Sequence, residues 1–422
     1  MYNAKLVFLS LLFLLGSLVV RPCSSYKITL AGTTMYGMNY DTWFTSPRIW
    51  FETTGYGAMF TGANFQGGHD LTPQAGLNEY GLAFGTLATT TPPITKSLIA
   101  KKPIASRSSY LKSILHNCKN VMEVKNYIDQ YDHSTFLNDV FFYIDAAGQY
   151  LIVEPYTLTV GNDPKYVIAN FCPSTITDYS TIKQTRYING VTFLKTKIDT
   201  SLAFCTALSD TMHVCRQKKG DGTLLTSIWN LNRRIVHIYF YHDYTKAISF
   251  NLSEELAKGD HYYDIVKKFP PNAEYQQLLA YKTPSNSKFI ERLLCILAGL
   301  FMISSPYFLI SYFKNRNSKF ARYKLFLSFL SLCLFYYMYC LLTVMNIYYF
   351  PAPYQHYKFG IISLASYLPY LILILVAPLL ILNKKVLATN AWQRLASLLF
   401  VANNLAYLLL IGLFFYWGLL FF

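Results

Sequence analysis

Residues 19–41 read VVRPCSSYKITLAGTTMYGMNYD. The stretch leaves an apolar N-terminal segment, crosses an Arg-Pro pair and reaches Cys23. A β-type run, a Gly-containing turn and a second β-type run follow. A cysteine at such a seam has three readings: half of a disulfide, a lipid attachment point, or a nucleophile that becomes the first residue of the mature chain. The third has chemical content the others lack. Cutting between Pro22 and Cys23 leaves a thiol and an α-amine on one residue, and an amine with an ordinary pKa of about 7.7–8.0 works as a base near neutrality. No separate histidine is then required.

Residues 6–20 form a continuous apolar run between Lys5 and Arg21, shorter than the roughly 20 residues a spanning helix needs. The run reads as a secretory signal peptide over 1–22. Arg-Pro is a poor match to the small-residue cleavage site, so an uncleaved signal anchor stays open.

Of the 422 residues, 53% are hydrophobic and 14% charged, against roughly 25% charged in a typical soluble domain. Part of the chain is therefore expected in lipid. Four apolar runs, at 293–313, 325–349, 359–382 and 395–422, reach spanning length. Pro306 and Pro369 lie inside two of them, which neighbouring helices tolerate. The first loop between these runs carries Lys314, Arg316, Lys319, Arg322 and Lys324, and the third carries Lys384, Lys385 and Arg394. The second has Lys358 alone. Short cytoplasmic loops collect Lys and Arg, which puts loops one and three inside and the preceding residues on the extracytoplasmic side. The span interiors hold no ionisable residue that would mark an ion path, and Asn403 and Asn404 read as interhelical hydrogen-bonding groups. The expected organisation is a signal peptide over 1–22, an extracytoplasmic domain over 23–288 and a four-helix membrane domain over 289–422. A net charge of +15 comes without any basic run of five, so nucleic acid is not an expected partner.

Between Cys23 and the first span, short β-type runs come first: SSYKITL, MYGMN, RIWFETT and GLAFGTLATT. Helical spacing follows in SRSSYLKSILHNC and in NVMEVKNYIDQY, where Asn120 and Glu123 stand at capping-box spacing. Strands return in DVFFYIDAAGQYLIVEPYTLTVG, which reads as two hairpins in series, and in KYVIAN, which reads as a buried strand. A helix over LAFCTALSDTMHV precedes TLLTSIWN, RRIVHIYFYH and KAISFNL. This order implies an α+β domain of two stacked sheets covered by helices.

Of the eight cysteines, Cys295, Cys333 and Cys340 fall in spans. Cys23, Cys118, Cys172, Cys205 and Cys215 remain outside, where thiols tend to pair, and the odd count leaves one over, with Cys23 the candidate. No C-x-x-C or H-x-x-x-H exists, so no metal site is expected and no cofactor is implied. His69, His116, His133, His213, His237 and His242 show no ligand spacing.

These residues also resemble a known family. Cys23, a strand, a Gly turn and GMNYD are similar to the opening of the choloylglycine hydrolase family, or linear amide C-N hydrolases, in which an N-terminal Cys precedes a G-R-N-x-D pattern. GLNEYGLAFGTLA, from Gly76 to Ala88, is similar to the family's G-M-N-E-x-G-L-A segment, and VIANFCPS to its strand ending in T-N-x-P. The resemblance covers about the first 250 mature residues and implies the αββα sandwich of N-terminal-nucleophile hydrolases. It implies Cys23 as nucleophile and Asp41 as the acid contacting the N-terminal residue. It also implies Asn170 as a side-chain oxyanion donor and Asn78 with Glu79 as a structural landmark. A second oxyanion donor would fall near Ala88, through its backbone N–H.

Two family arginines are replaced. Met38 stands where one lies close to the thiol, and the other falls on Gly222. Losing both charges weakens the case for bile salts or penicillins as substrates and leaves the cysteine chemistry intact. Arg48, Arg233 and Arg234 are the available substitutes. The reaction expected is hydrolysis of a linear amide through a Cys23 thioester, with acyl transfer to an amine, or a non-catalytic binding module on the same fold, as alternatives. With 36 Tyr and 31 Phe in the chain, an amphipathic acyl-amide is the expected substrate.

Overall fold

The computed structural model describes residues 23–65, 72–89, 101–215, 222–355 and 360–420. The targeting segment expected over 1–22, His69 and the last two residues of the fourth expected span lie outside the described residues. The chain divides into two compact units, one ending at Tyr281 and the other beginning at Lys282.

The first unit holds strands β1 (Ser24–Leu30), β2 (Thr33–Thr42), β3 (Ser46–Glu52), β4 (Ala58–Asn64), β5 (Ala75–Asn78), β6 (Ala83–Ala88), β7 (Asp139–Ile144), β8 (Tyr150–Val153), β9 (Leu158–Gly161), β10 (Lys165–Ile168), β11 (Gly222–Asn230), β12 (Ile235–Phe240), β13 (Asp243–Asn251) and β14 (His261–Asp264). They form a six-stranded sheet in the order β10-β1-β2-β11-β12-β13 and an eight-stranded sheet in the order β14-β3-β4-β5-β6-β7-β8-β9. Neighbouring strands run antiparallel in both sheets. The helices are α1 (Arg107–Asn117), α2 (Val121–Ile128), α3 (Thr185–Thr196), α4 (Leu202–Met212), α5 (Leu252–Leu256) and α6 (Ala273–Ala280).

The opening stretch folds as a hairpin. Leu30 pairs with Thr33, leaving Ala31 and Gly32 as a two-residue loop with φ of 48° and 74°. Positive φ at both central positions is a type I′ turn, whose twist matches that of the flanking strands. Cys23 sits immediately before the first residue of β1.

Two clusters and the space between them define the layers. Tyr26, Ile28, Met35 and Ile228 of the six-stranded sheet pack with Tyr187, Leu194, Leu208 and Met212 of α3 and α4. Phe60, Phe84, Phe141 and Leu151 of the eight-stranded sheet pack with Leu111, Ile114, Val121 and Val124 of α1 and α2. Strand alternation turns the remaining side chains of each sheet toward the other. There Tyr36 meets Phe142 edge-on at 6.1 Å, and Phe51 meets Phe250 at 5.9 Å. Lys27, also on this inner face, donates to the Gly148 carbonyl at 2.7 Å across the layer. The result is helix, sheet, sheet, helix, the αββα order expected from the sequence. Each fully buried aromatic in these layers contributes roughly 1.5–3 kcal/mol.

Most expected elements are present, and the departures have physical reasons. The Asn120 side chain caps α2 by accepting the Glu123 N–H at 3.0 Å, while the Glu123 carboxylate accepts from Lys119 N–H at 2.8 Å, one residue before the cap. KYVIAN is an edge strand, not a buried one: β10 pairs with β1 alone, and Lys165 is exposed. Helix α3 has no counterpart in the sequence reading because Gly190 and its β-branched residues obscure the period, although Tyr187, Gly190 and Leu194 share a buried face. Cys118 and Cys205 are thiols in separate cores rather than disulfide halves. Burial pushes both up to about 12.

Among the described residues, the second unit holds four segments long and apolar enough to cross a membrane: α7 (Lys288–Lys314), α8 (Arg322–Thr343), the segment Ile361–Ala388 and Arg394–Tyr416. A short helix α9 (Asn346–Tyr349) follows α8, so the second apolar run is not one helix to its end. The third segment is two helices, α10 (Ile361–Ala365) and α11 (Leu368–Ala388), and α12 (Arg394–Tyr416) is the fourth. Pro369 therefore lies in the first turn of α11, where its missing N–H costs nothing, instead of inside a continuous helix. Lys324, read as a loop residue, lies inside α8 because that helix begins at Arg322.

Candidate active site

The four residues singled out in the sequence are brought together at the start of β1. Cys23 N–H donates to Asn170 Oδ1 at 2.8 Å, Asn170 Nδ2 donates to the Ala88 carbonyl at 2.6 Å, and the Cys23 thiol lies 3.9 Å from the Asp41 carbonyl. Asn170 lies two residues past the end of β10, the strand that pairs with β1, and Asp41 lies on β2 on the other side of β1. Antiparallel register carries a sequence separation of 147 into a single hydrogen bond.

A residue the sequence reading missed completes this arrangement. Arg186, in the first turn of α3 and 5% exposed, donates through Nε to the Cys23 carbonyl at 3.1 Å and through Nη2 to Asn170 Oδ1 at 2.6 Å. Both backbone polar atoms of Cys23 are thus engaged by buried side chains from distant parts of the chain. Burying a guanidinium costs several kcal/mol, offset only by well-formed charge-assisted hydrogen bonds. A cation in the first turn also opposes the helix dipole. That sign mismatch in KQTRY was the available signal, but it has meaning only once a helix start is recognised there.

Gln184, immediately before α3, fixes the two partners against each other. Its Oε1 accepts from Arg186 Nη2 at 2.9 Å and from Asn170 N–H at 3.3 Å, while its Nε2 donates to the Asn170 carbonyl at 3.1 Å. The Asn170 amide orientation follows from its neighbours. Two donors converge on Oδ1 and a carbonyl faces Nδ2, so the opposite assignment would set donor against donor. Nδ2 carries two hydrogens, and the Ala88 carbonyl takes one of them. The Ala88 group that meets Asn170 is this carbonyl, an acceptor, whereas an oxyanion needs donors.

The Asp41 carboxylate accepts from the hydroxyl of Thr223, its register partner on β11. Thr223 Oγ1 accepts in turn from Val214 N–H at 2.9 Å. The neighbouring Asn39 ties β2 to α4 and β11, donating to the Ser209 carbonyl at 2.9 Å and accepting from Thr226 at 2.8 Å. The buried phenols of Tyr36 and Tyr40 lie close to Cys23. Burial above all, with the nearby Cys23 adding to it, pushes both up, so they remain neutral donors at physiological pH.

The two positions where the resemblance would place arginines hold residues suited to their surroundings. Met38 is buried in the inter-sheet layer, where its sulfur accepts from the Tyr36 hydroxyl at 3.6 Å. At Gly222 any Cβ would stand 2.2 Å from the Val214 carbonyl oxygen, so no side chain fits. Arg48 is committed to Asp264 at 3.0 Å, and Arg233 is an exposed turn residue. The guanidinium beside Cys23 is that of Arg186. Asn78 is structural: its side chain accepts from Tyr80 and Leu82 N–H and donates to the carbonyls of Leu115 and Cys118. Burial pushes the Cys172 thiol up to about 11, which makes it a poor nucleophile.

No protein-family model and no curated protein sequence matches the chain. In three dimensions it is similar to two variants of conjugated bile acid hydrolase from Clostridium perfringens, at 17% and 16% identity and a TM-score of 0.44, over 60% of this chain and 99% and 97% of theirs. It is also similar to penicillin V acylase from Agrobacterium tumefaciens, at 14% identity and a TM-score of 0.46, over 58% of this chain and 92% of that one. These are N-terminal-nucleophile hydrolases, the group that the motifs around Cys23 resemble.

Proposed function

We propose that the chain is a membrane-anchored amidase that cleaves a linear amide through a thioester on Cys23. The observation that carries this reading is the grip on both backbone polar atoms of Cys23 by Asn170 and Arg186. A structural cysteine needs no such fixation, whereas a nucleophile held to a fraction of an ångström gains much of its rate from placement.

In the 422-residue chain the Cys23 nitrogen is a peptide amide; removal of residues 1–22 turns it into an α-amine. That amine keeps a hydrogen for Asn170 Oδ1 and gains a lone pair, which takes the thiol proton as Sγ attacks the substrate carbonyl. The second Nδ2 hydrogen of Asn170 serves the oxyanion that forms. The tetrahedral adduct collapses, the C–N bond breaks, and the leaving amine takes the proton from the α-ammonium. Water, deprotonated by the same α-amine, then attacks the thioester, releasing the acid and restoring the thiol. Arg186 acts as a positioning residue, holding the Cys23 carbonyl and Asn170 in one frame.

In this reading the four apolar segments of the second unit lie in a membrane with the sandwich on its extracytoplasmic side, and the substrate is an amphipathic acyl-amide. Intact mass and N-terminal sequencing of the purified protein test the reading directly. A free Cys23 amine is expected, together with release of amine from a panel of acyl-amides. A mature chain that begins elsewhere sinks it.

A further inference from the structure

We propose that Cys215, His242 and Glu274 form a zinc site that braces Thr223, the residue holding Asp41. One donor atom from each of the three lies within 4.8 Å of the other two. They come from separate elements: Cys215 pairs with Gly222 in an isolated bridge, His242 stands in the β12–β13 turn, and Glu274 lies in the first turn of α6. No sequence spacing announces such a site.

The distances suit a small cation. His242 Nε2 is 2.6 Å from Glu274 Oε2, and Cys215 Sγ is 3.8 Å from the same oxygen. Zinc bonds of about 2.3 Å to sulfur and about 2.0–2.2 Å to nitrogen and oxygen place tetrahedral ligands roughly 3.3–3.8 Å apart. The Glu274 side chain is 51% exposed, so a small rotation opens that spacing. The other histidine nitrogen is oriented as a metal ligand requires: Nδ1 lies 3.3 Å from the Thr223 carbonyl. An Nδ1–H donated there leaves the Nε2 lone pair for the ion. The ring of His213 stacks on His242 at 5.6 Å with planes 7° apart and fixes its tilt.

The donor set selects the metal. Calcium and magnesium take oxygen ligands, whereas thiolate, imidazole and carboxylate together suit zinc, with water in the fourth position. Zinc takes its thiolate, imidazole and carboxylate ligands deprotonated, so affinity for the ion falls as pH falls. The ion would tie segment 214–215, the β12–β13 turn and α6 around Thr223, whose N–H donates to the Val214 carbonyl at 2.8 Å.

The inference is independent of the amidase reading. Full-length protein purified in detergent is stripped with a chelator, then titrated with zinc or cobalt(II) alone. One equivalent of zinc per chain is expected, and cobalt should give a thiolate charge-transfer absorption. Cys215→Ser should abolish that absorption, and Cys215→Ser and His242→Ala should each weaken zinc binding at least ~10-fold. Cys23→Ala should leave zinc binding unchanged. Glu274→Ala, at a half-exposed position, provides a third ligand deletion, and melting of the metal-free variants checks that each is folded. Failure of the wild-type protein to bind one equivalent, or wild-type affinity in the folded ligand variants, overturns the proposal.

Discussion

The two units treat buried polar groups in opposite ways. In the sandwich they converge: Asn170, Arg186 and Gln184 lie around the single residue Cys23. In the helical unit they are spread in pairs that tie one helix to the next. Asn403 of α12 donates to Ser304 of α7 at 2.8 Å, and Ser328 of α8 donates to the Ser305 carbonyl at 2.7 Å. The surfaces invert as well. Phe289, Ile296, Met302, Ile303, Ile361 and Ile374 of the helical unit are 62–73% exposed, whereas the most exposed large apolar residue described in the sandwich is Tyr262 at 55%. Apolar outside with small polar groups between helices is the pattern expected of segments that lie in lipid, as proposed for this unit. Convergence on one residue is the pattern of a reaction site, because a scaffold alone gains nothing by concentrating desolvation costs at one point.

The strongest test of that convergence is Cys23→Ala. We expect amine release from the acyl-amide panel to fall at least about a thousandfold, with the melting temperature little changed, because only the sulfur is lost and both backbone contacts remain. Full activity in this variant would make the whole arrangement structural. Arg186→Met comes next. It strips the Cys23 carbonyl and Asn170 Oδ1 of a shared donor, and kcat should fall about a hundredfold with KM less affected. Arg186→Lys keeps the charge but not the planar fork and should recover only part of the loss. Equal recovery by Lys would mean that charge alone matters.

The sequence carried the convergence only in part. Cys23 was legible as a thiol at the seam after an apolar segment, whereas Asp41 and Asn170 were legible only through motifs that resemble those of the choloylglycine hydrolase family. Arg186 was not, since its meaning depends on α3 packing its N-terminus over β1, a contact spanning 163 residues. Gly222 looked like a lost arginine and is a site of close backbone approach. Cys215, His242 and Glu274 are brought together by a turn, a bridge and a helix start, none of which has a periodic signature. The helical unit was the more legible of the two, since span length and hydropathy are properties of consecutive residues. What periodicity could not supply there was the break before Leu368 and the position of Lys324, which donates to Ser311 Oγ at 2.9 Å from inside α8.

A polar cluster of the sandwich away from Cys23 sharpens the contrast, because it should govern stability and not rate. Glu52 on β3 pairs with Lys112 and His116 of α1, His116 Nε2 at 3.0 Å. His116 Nδ1 also faces the Tyr56 carbonyl at 2.9 Å, so both ring nitrogens donate and the ring is an imidazolium. Burial alone would raise Glu52, but the hydrogen bonds from His116 and Lys112 override it and hold the carboxyl down to about 2. Burial alone would lower His116, and its bonds to Glu52 and the Tyr56 carbonyl raise it instead. The depressed Glu52 contributes stability above its ordinary 4.5 and loses it as pH falls toward 2. The raised His116 contributes fully below its ordinary 6.5 and loses it as pH rises through its folded value. The joint contribution is therefore greatest between 4.5 and 6.5. Glu52→Gln should lower stability in that window by about 1.5–3 kcal/mol and flatten the dependence of Tm on pH, with kcat unchanged.

The smallest effect is expected where polar contacts are dispersed. Asn403→Ala removes the α12–α7 hydrogen bond to Ser304, and such bonds between helices in lipid average about 0.6 kcal/mol, because helices separated in the bilayer find other partners. Unfolding of the full-length protein in detergent should shift by about that amount, and amide hydrolysis should not change. Adding Ser328→Ala, which acts at a different helix pair, should be additive with it to within about 0.5 kcal/mol. Strong coupling between these two positions, or a drop in kcat from either, would show that the helical unit also concentrates its polar groups for a purpose, and the contrast with the sandwich would fail.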